Sequence, residues 1–129
     1  MKTLSSFVLT LSIAASPAFA KPATFKDMKK DAEEFAQIFD NQTEECDVRV
    51  KETREGMYIS VKKPGKPVVY LDVASDAKIN VVDKKSGDDY DTTYTVAGGD
   101  KLELVHADDA FDHLYVTVKG EKISCELDF

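Results

Sequence analysis

The stretch Ile123-Ser124-Cys125-Glu126-Leu127-Asp128-Phe129 alternates apolar and polar side chains without a break. Successive side chains of an extended chain point to opposite faces, so Ile123, Cys125, Leu127 and Phe129 share one apolar face. That face carries one of the only two cysteines in the chain. The other, Cys46, opens a matching run in which Cys46, Val48 and Val50 alternate with Asp47, Arg49 and Lys51. A cysteine on the apolar face of a strand near each end of the β-rich region predicts a clamp from Cys46 to Cys125, joining first strand to last.

Between these ends the period of two recurs. Met57, Ile59 and Val61 mark one strand, Val69, Leu71 and Val73 the next, then Ile79 with Val81. Tyr90, Thr92, Tyr94 and Val96 follow, then Leu102 with Leu104, then Leu114, Val116 and Val118. Turn chemistry separates them at Lys63-Pro64-Gly65-Lys66-Pro67, over Asp83 to Asp89, at Gly98-Gly99 and at Gly120-Glu121. About eight short strands at intervals of roughly ten residues predict a mainly β fold, an antiparallel sandwich or small barrel. No gap is long enough for the crossover helix that a parallel sheet requires.

Upstream the period changes. Phe25, Met28, Ala32, Phe35 and Phe39 recur at spacings of three and four, which predicts an amphipathic helix over about residues 24–40. Thr24 suits its N-cap, and Asp27 and Asp31 lie towards the positive end of its dipole. The aromatic stripe is expected to pack on the sheet that follows.

Met1 to Ala20 reads as a secretory signal peptide, with Lys2 as a basic start, an apolar run from Leu4 to Ala15 and small residues at Ala18 and Ala20. Cleavage is expected after Ala20, leaving residues 21–129 as a single exported domain, periplasmic or secreted. The apolar run is shorter than the roughly 20 residues of a membrane-spanning helix, so no span is expected after cleavage. In an oxidising compartment two cysteines read as a disulfide. Closing a loop of roughly 80 residues limits the unfolded chain by about 4 to 5 kcal/mol in the chain-entropy account. Their distance excludes a CxxC redox motif.

The 24 acidic against 17 basic residues give a formal net charge of −7, which becomes −8 once Lys2 leaves with the signal. That balance disfavours nucleic acid and anionic lipid, and makes a cationic envelope or extracellular protein the expected class of partner. The final Phe129 on an alternating strand resembles the closing strand of bacterial outer-membrane β-barrels. The strands are too short for that, because a membrane strand alone takes roughly 9 to 11 residues, and Asp72, Lys101, Glu103 and Glu126 interrupt the outward faces. In size, export and acidity the chain resembles the small disulfide-closed lysozyme inhibitors of the cell envelope. The resemblance implies inhibitor-like binding of a basic protein through an acidic or polar loop.

The segment that fits such a loop is His106-Ala107-Asp108-Asp109-Ala110-Phe111-Asp112-His113. Asp108, Asp109 and Asp112 supply charge for a cationic partner, with Phe111 as an apolar anchor. The alternative is a metal-binding or metal-stabilised envelope protein in which His106, His113, Asp108 and Asp112 are ligands for a divalent ion. Strand parity places His106 on the face of Leu102 and Leu104 and His113 on the opposite one, unless a bulge intervenes. A second acid-rich segment, with Asp83, Asp88, Asp89 and Asp91, has calcium-type oxygen donors but lacks the EF-hand order. No GxSxG, HExxH or phosphate-binding glycine loop is present, so neither an enzyme nor a cofactor is expected.

Overall fold

A computed structural model describes residues 20–42, 46–87, 89–106 and 111–128, with backbone alone at 39–42, 86, 111–112 and 127–128. Strand β1 (Lys21–Ala23) and helix α1 (Phe25–Gln42) precede β2 (Asp47–Glu52), β3 (Gly56–Lys62) and β4 (Val69–Ala74). Then come β5 (Ile79–Ser86), β6 (Asp89–Val96), β7 (Lys101–His106), β8 (Phe111–Val118) and β9 (Glu121–Asp128). The predicted signal segment lies outside the described residues except for Ala20. Among the described residues no helix is long and apolar enough to cross a membrane.

All pairings are antiparallel, and they form two sheets: six strands in the order β1-β5-β6-β7-β8-β9, and three in the order β2-β3-β4. The fold is thus mainly β and built from two layers. The described apolar residues of these runs face inward except Tyr90, which is exposed, while the Leu127 side chain and Phe129 lie outside what is described. Ile59, Val61, Leu71, Leu102, Leu104, Leu114 and Val116 are all buried in one core fed by both sheets and the helix. Between β6 and β7, Gly98 and Gly99 take φ of 105° and 102°, a left-handed backbone that most side chains disfavour, so the tight turn needs them.

Helix α1 starts as its sequence requires. Asp27 N–H donates to Thr24 Oγ1 at 3.1 Å, and Thr24 N–H donates back to Asp27 Oδ2 at 3.4 Å, a reciprocal cap. Met28, Ala32 and Phe35 enter the core, and Phe25 packs at its margin. On the large sheet Tyr94 OH donates to Asp31 Oδ2, tying helix to β6. Burial first, and that carboxylate second, push the Tyr94 hydroxyl well above its ordinary pKa.

Two features depart from the sequence reading. Lys21–Ala23 is a ninth strand, paired along β5 from Lys21↔Val81 to Ala23↔Ile79. Three residues show no period, and Pro22 is tolerated there because an edge strand has a side without ladder partners. Strand β5 also continues through Asp83, Lys84 and Lys85 to Ser86, where turn chemistry was expected, with Ser86 paired to Asp89. Beyond Val82 this strand carries only polar side chains, Asp83 to Ser86, so the alternation vanishes.

Cys46 and Cys125 form the predicted disulfide, with Cα atoms 6.0 Å apart and both residues buried. Cys46 directly precedes β2, and Cys125 lies in β9, so the bridge ties the small sheet to the edge of the large one. Because β1 comes earlier, β2 is the first strand of the small sheet rather than of the chain. Lys63 Nζ donates to the Ser124 carbonyl at 2.9 Å, a second tie between the same two sheets.

Candidate functional site

The expected site residues fall on the hairpin of β7 and β8. Its register runs through Leu104↔Leu114, Val105↔His113 and His106↔Asp112 without a skipped residue, so no bulge resets the parity. His106 shares the inward parity of Leu104, and its ring meets Phe35 edge-on with centroids 4.6 Å apart. His113 takes the outer face, where its ring lies parallel to Tyr115 at 5.8 Å. Its Nε2 donates to Glu126 Oε1 at 2.9 Å. One ion cannot touch both rings while the hairpin keeps this register. Among the described residues no group of three or more His, Cys, Asp or Glu is arranged to hold a metal.

Asp108 and Asp109 lie outside the described residues, and Phe111 and Asp112 are described in backbone only. Backbone pairing places Phe111 and Asp112 on β8. One row of the sheet reads Tyr90↔His106↔Asp112↔Leu127, and the next step outward pairs Phe111 with Asp128. The β5–β6 turn, the β7–β8 connection and the end of β9 therefore meet at one end of the large sheet. Asp89, Asp112 and Asp128 occupy strand positions at this end. Lys85, over the Tyr90 ring at 5.0 Å, is a cation of the same end.

Inward from that end, the outer face holds a titratable cluster that the sequence did not single out. Asp91 and Glu103 stand on adjacent strands, β6 and β7, and share the outward parity. Burial foremost, then the neighbouring Asp91 carboxyl, push Glu103 up to about 6, against weaker pulls from Lys122 and Lys84. A nearby carboxylate disfavours the ionised form of a half-buried one. Thr93 Oγ1 donates to Asp91 Oδ1 at 3.3 Å. Lys122 Nζ stands 4.5 Å from the Tyr115 ring centre. The Tyr115 hydroxyl is pushed up by burial first and then by Glu103, Glu126 and Asp91.

No family model, curated protein or solved structure matches this chain.

In the second acid-rich segment Asp88 lies outside the described residues, and Asp83 and Asp91 take opposite faces of the sheet. Asp83 pairs in β5 with Thr92, and its Oδ1 accepts from Thr92 Oγ1 at 2.9 Å, on the helix side of the sheet. Asp91 has the opposite parity and joins the outer cluster. For Glu103, Tyr115 and Glu126 the available signal was faint: each is a polar partner in an alternating strand. Only the strand order, which periodicity does not carry, makes them neighbours.

Proposed function

We propose that this chain is an exported interaction protein that presents the acidic end of its large sheet to a cationic protein, in the manner of a small inhibitor. The observation that carries the reading is the register, which gathers the β5–β6 turn, the β7–β8 connection and the end of β9 at one end. Asp89, Asp112 and Asp128, from segments distant in sequence, hold backbone positions at that end. The formal net charge of −7 supports the same sign of partner, since a long-range negative field raises the encounter rate with basic proteins. Periplasmic or secreted placement follows from the predicted signal segment, and a disulfide is compatible with it.

Capture from an envelope and culture extract of the source organism tests this. The wild-type chain and a variant carrying D108N, D109N, D112N and F111A are used as paired baits. A basic protein held by the wild type, released at about 1 M salt where screening acts within about 3 Å, and missed by the variant is the expected result. Equal capture by both baits removes this end as the interface.

A further inference from the structure

The outer face of the small sheet carries three cations, Arg49, Lys51 and Lys62, against two carboxylates, Asp47 and Asp72. In register, Arg49 on β2 stands beside Ser60 on β3, which stands beside Tyr70 on β4. A short residue between two long ones leaves a trough, and Ser60 forms its buried floor. Lys51, Tyr58 and Asp72 form the next row, with Asp72 outside the groove lining, and Lys62 stands opposite Asp47 on the other side. The resulting open groove has a volume of about 760 Å³ and is closed on one flank by Ala36 and Gln37 of α1. That volume lies within the roughly 300–1,000 Å³ usual for ligand sites.

Its lining includes three cations, Arg49, Lys51 and Lys62, and one carboxylate, Asp47. Asp47 holds Arg49 Nε at 3.1 and 3.2 Å. Lys62 Nζ donates to the Lys66 carbonyl at 3.3 Å, a neutral partner that leaves its charge in place. The two tyrosines meet edge to face with centroids 5.5 Å apart, and Tyr70 is 51% exposed. An exposed aromatic beside cations offers a flat apolar face and charge complementarity together.

We infer that this groove binds a short anionic saccharide, its sugar rings against Tyr58 and Tyr70 and its acidic groups at Lys51, Lys62 and Arg49. An acidic peptide is the poorer fit, because extended peptides add to a sheet edge whereas this groove crosses a sheet face. A long nucleic acid is opposed by the chain's net charge of −7, while a ligand with a few charges meets mainly the local field. Ser60 adds a hydroxyl group at the floor of the groove.

Titration with trigalacturonate, followed by backbone amide shifts, tests the site on the purified full chain. Saturable shifts centred on Arg49, Lys51, Tyr58, Ser60, Lys62 and Tyr70, with a dissociation constant near or below about 1 mM, are expected. Tyr70→Ser and the pair K51E/K62E, each checked for an unchanged amide spectrum elsewhere, should weaken binding at least about tenfold. Four results overturn the proposal: no saturable shift at about 10 mM, equal shifts with neutral maltotriose, shifts on another face, or variants that bind as well as wild type. Equal or tighter binding of hexaglutamate or of a thymidine hexanucleotide also overturns it, because the face would then select anionic charge rather than a saccharide.

Discussion

His113 and Glu126 meet at 2.9 Å across β8 and β9, on the face of the large sheet turned away from the core. The imidazole is 15% exposed and the carboxylate 60%, so the pair is anchored on one side and solvated on the other. Seven residues before His113, His106 sits against Phe35 on the other face. The hairpin that joins these histidines in sequence therefore divides them in space.

A half-solvated pair of this kind contributes little. Glu126→Gln keeps the shape and an acceptor for His113, and is expected to lower stability by less than about 1 kcal/mol in urea unfolding at pH 6. A much larger loss would mean that the outer face is more tightly coupled than its exposure indicates.

Glu103 gives the outer face a pH dependence whose sign is fixed. Its folded value of about 6 lies above the ordinary 4.5, so the protonated form favours folding. That contribution is complete below about 4.5 and is lost as pH rises through about 6. Glu103→Gln should flatten the fall in stability across this window and raise stability at pH 7, by under about 1 kcal/mol because solvent screens a half-buried group. Melting temperatures measured from pH 4 to 7.5 check it. An unchanged slope would show that Glu103 does not carry this pH dependence.

The disulfide stabilises mainly through the unfolded chain, whose long loop it closes. Replacing both Cys46 and Cys125 by alanine is expected to cost about 2 to 5 kcal/mol. Intact mass should lie about 2 Da below the reduced value, because oxidation removes two hydrogens. Two thiols alkylated in native protein would contradict the bridge.

Gly56 marks a close approach that no periodicity displays. A Cβ there would lie 2.1 Å from the Val73 carbonyl oxygen and 2.8 Å from Ala74 Cα, both backbone atoms of the paired strand. Gly56→Ala must therefore separate β3 from β4 locally, and a loss of about 2 kcal/mol or more is expected in denaturant unfolding. A variant as stable as wild type would show that the strands can part without cost.

The eight strands from β2 to β9 and the helix were legible because each buries one face and exposes the other, which writes a period into the sequence. Thr24 was legible as a cap because its hydroxyl does local work that needs no tertiary partner. Lys21–Ala23 and the polar half of β5 were not legible, since neither buries a face for long enough to leave a pattern. The cluster of Asp91, Glu103, Tyr115 and His113, and the trough over Ser60, depend on which strands adjoin. That information resides in register and strand order, and a single sequence states neither.

The central claim is that the acidic end of the large sheet is the contact surface, and photocrosslinking tests it most directly. A photoreactive phenylalanine analogue is placed at position 111, or at position 76 in the β4–β5 turn as a control, and irradiated in extract from the source organism. The account predicts a discrete adduct with a basic protein from position 111, abolished by about 1 M salt, and none from position 76. An adduct from position 76 alone, or salt-insensitive labelling from both positions, would contradict it.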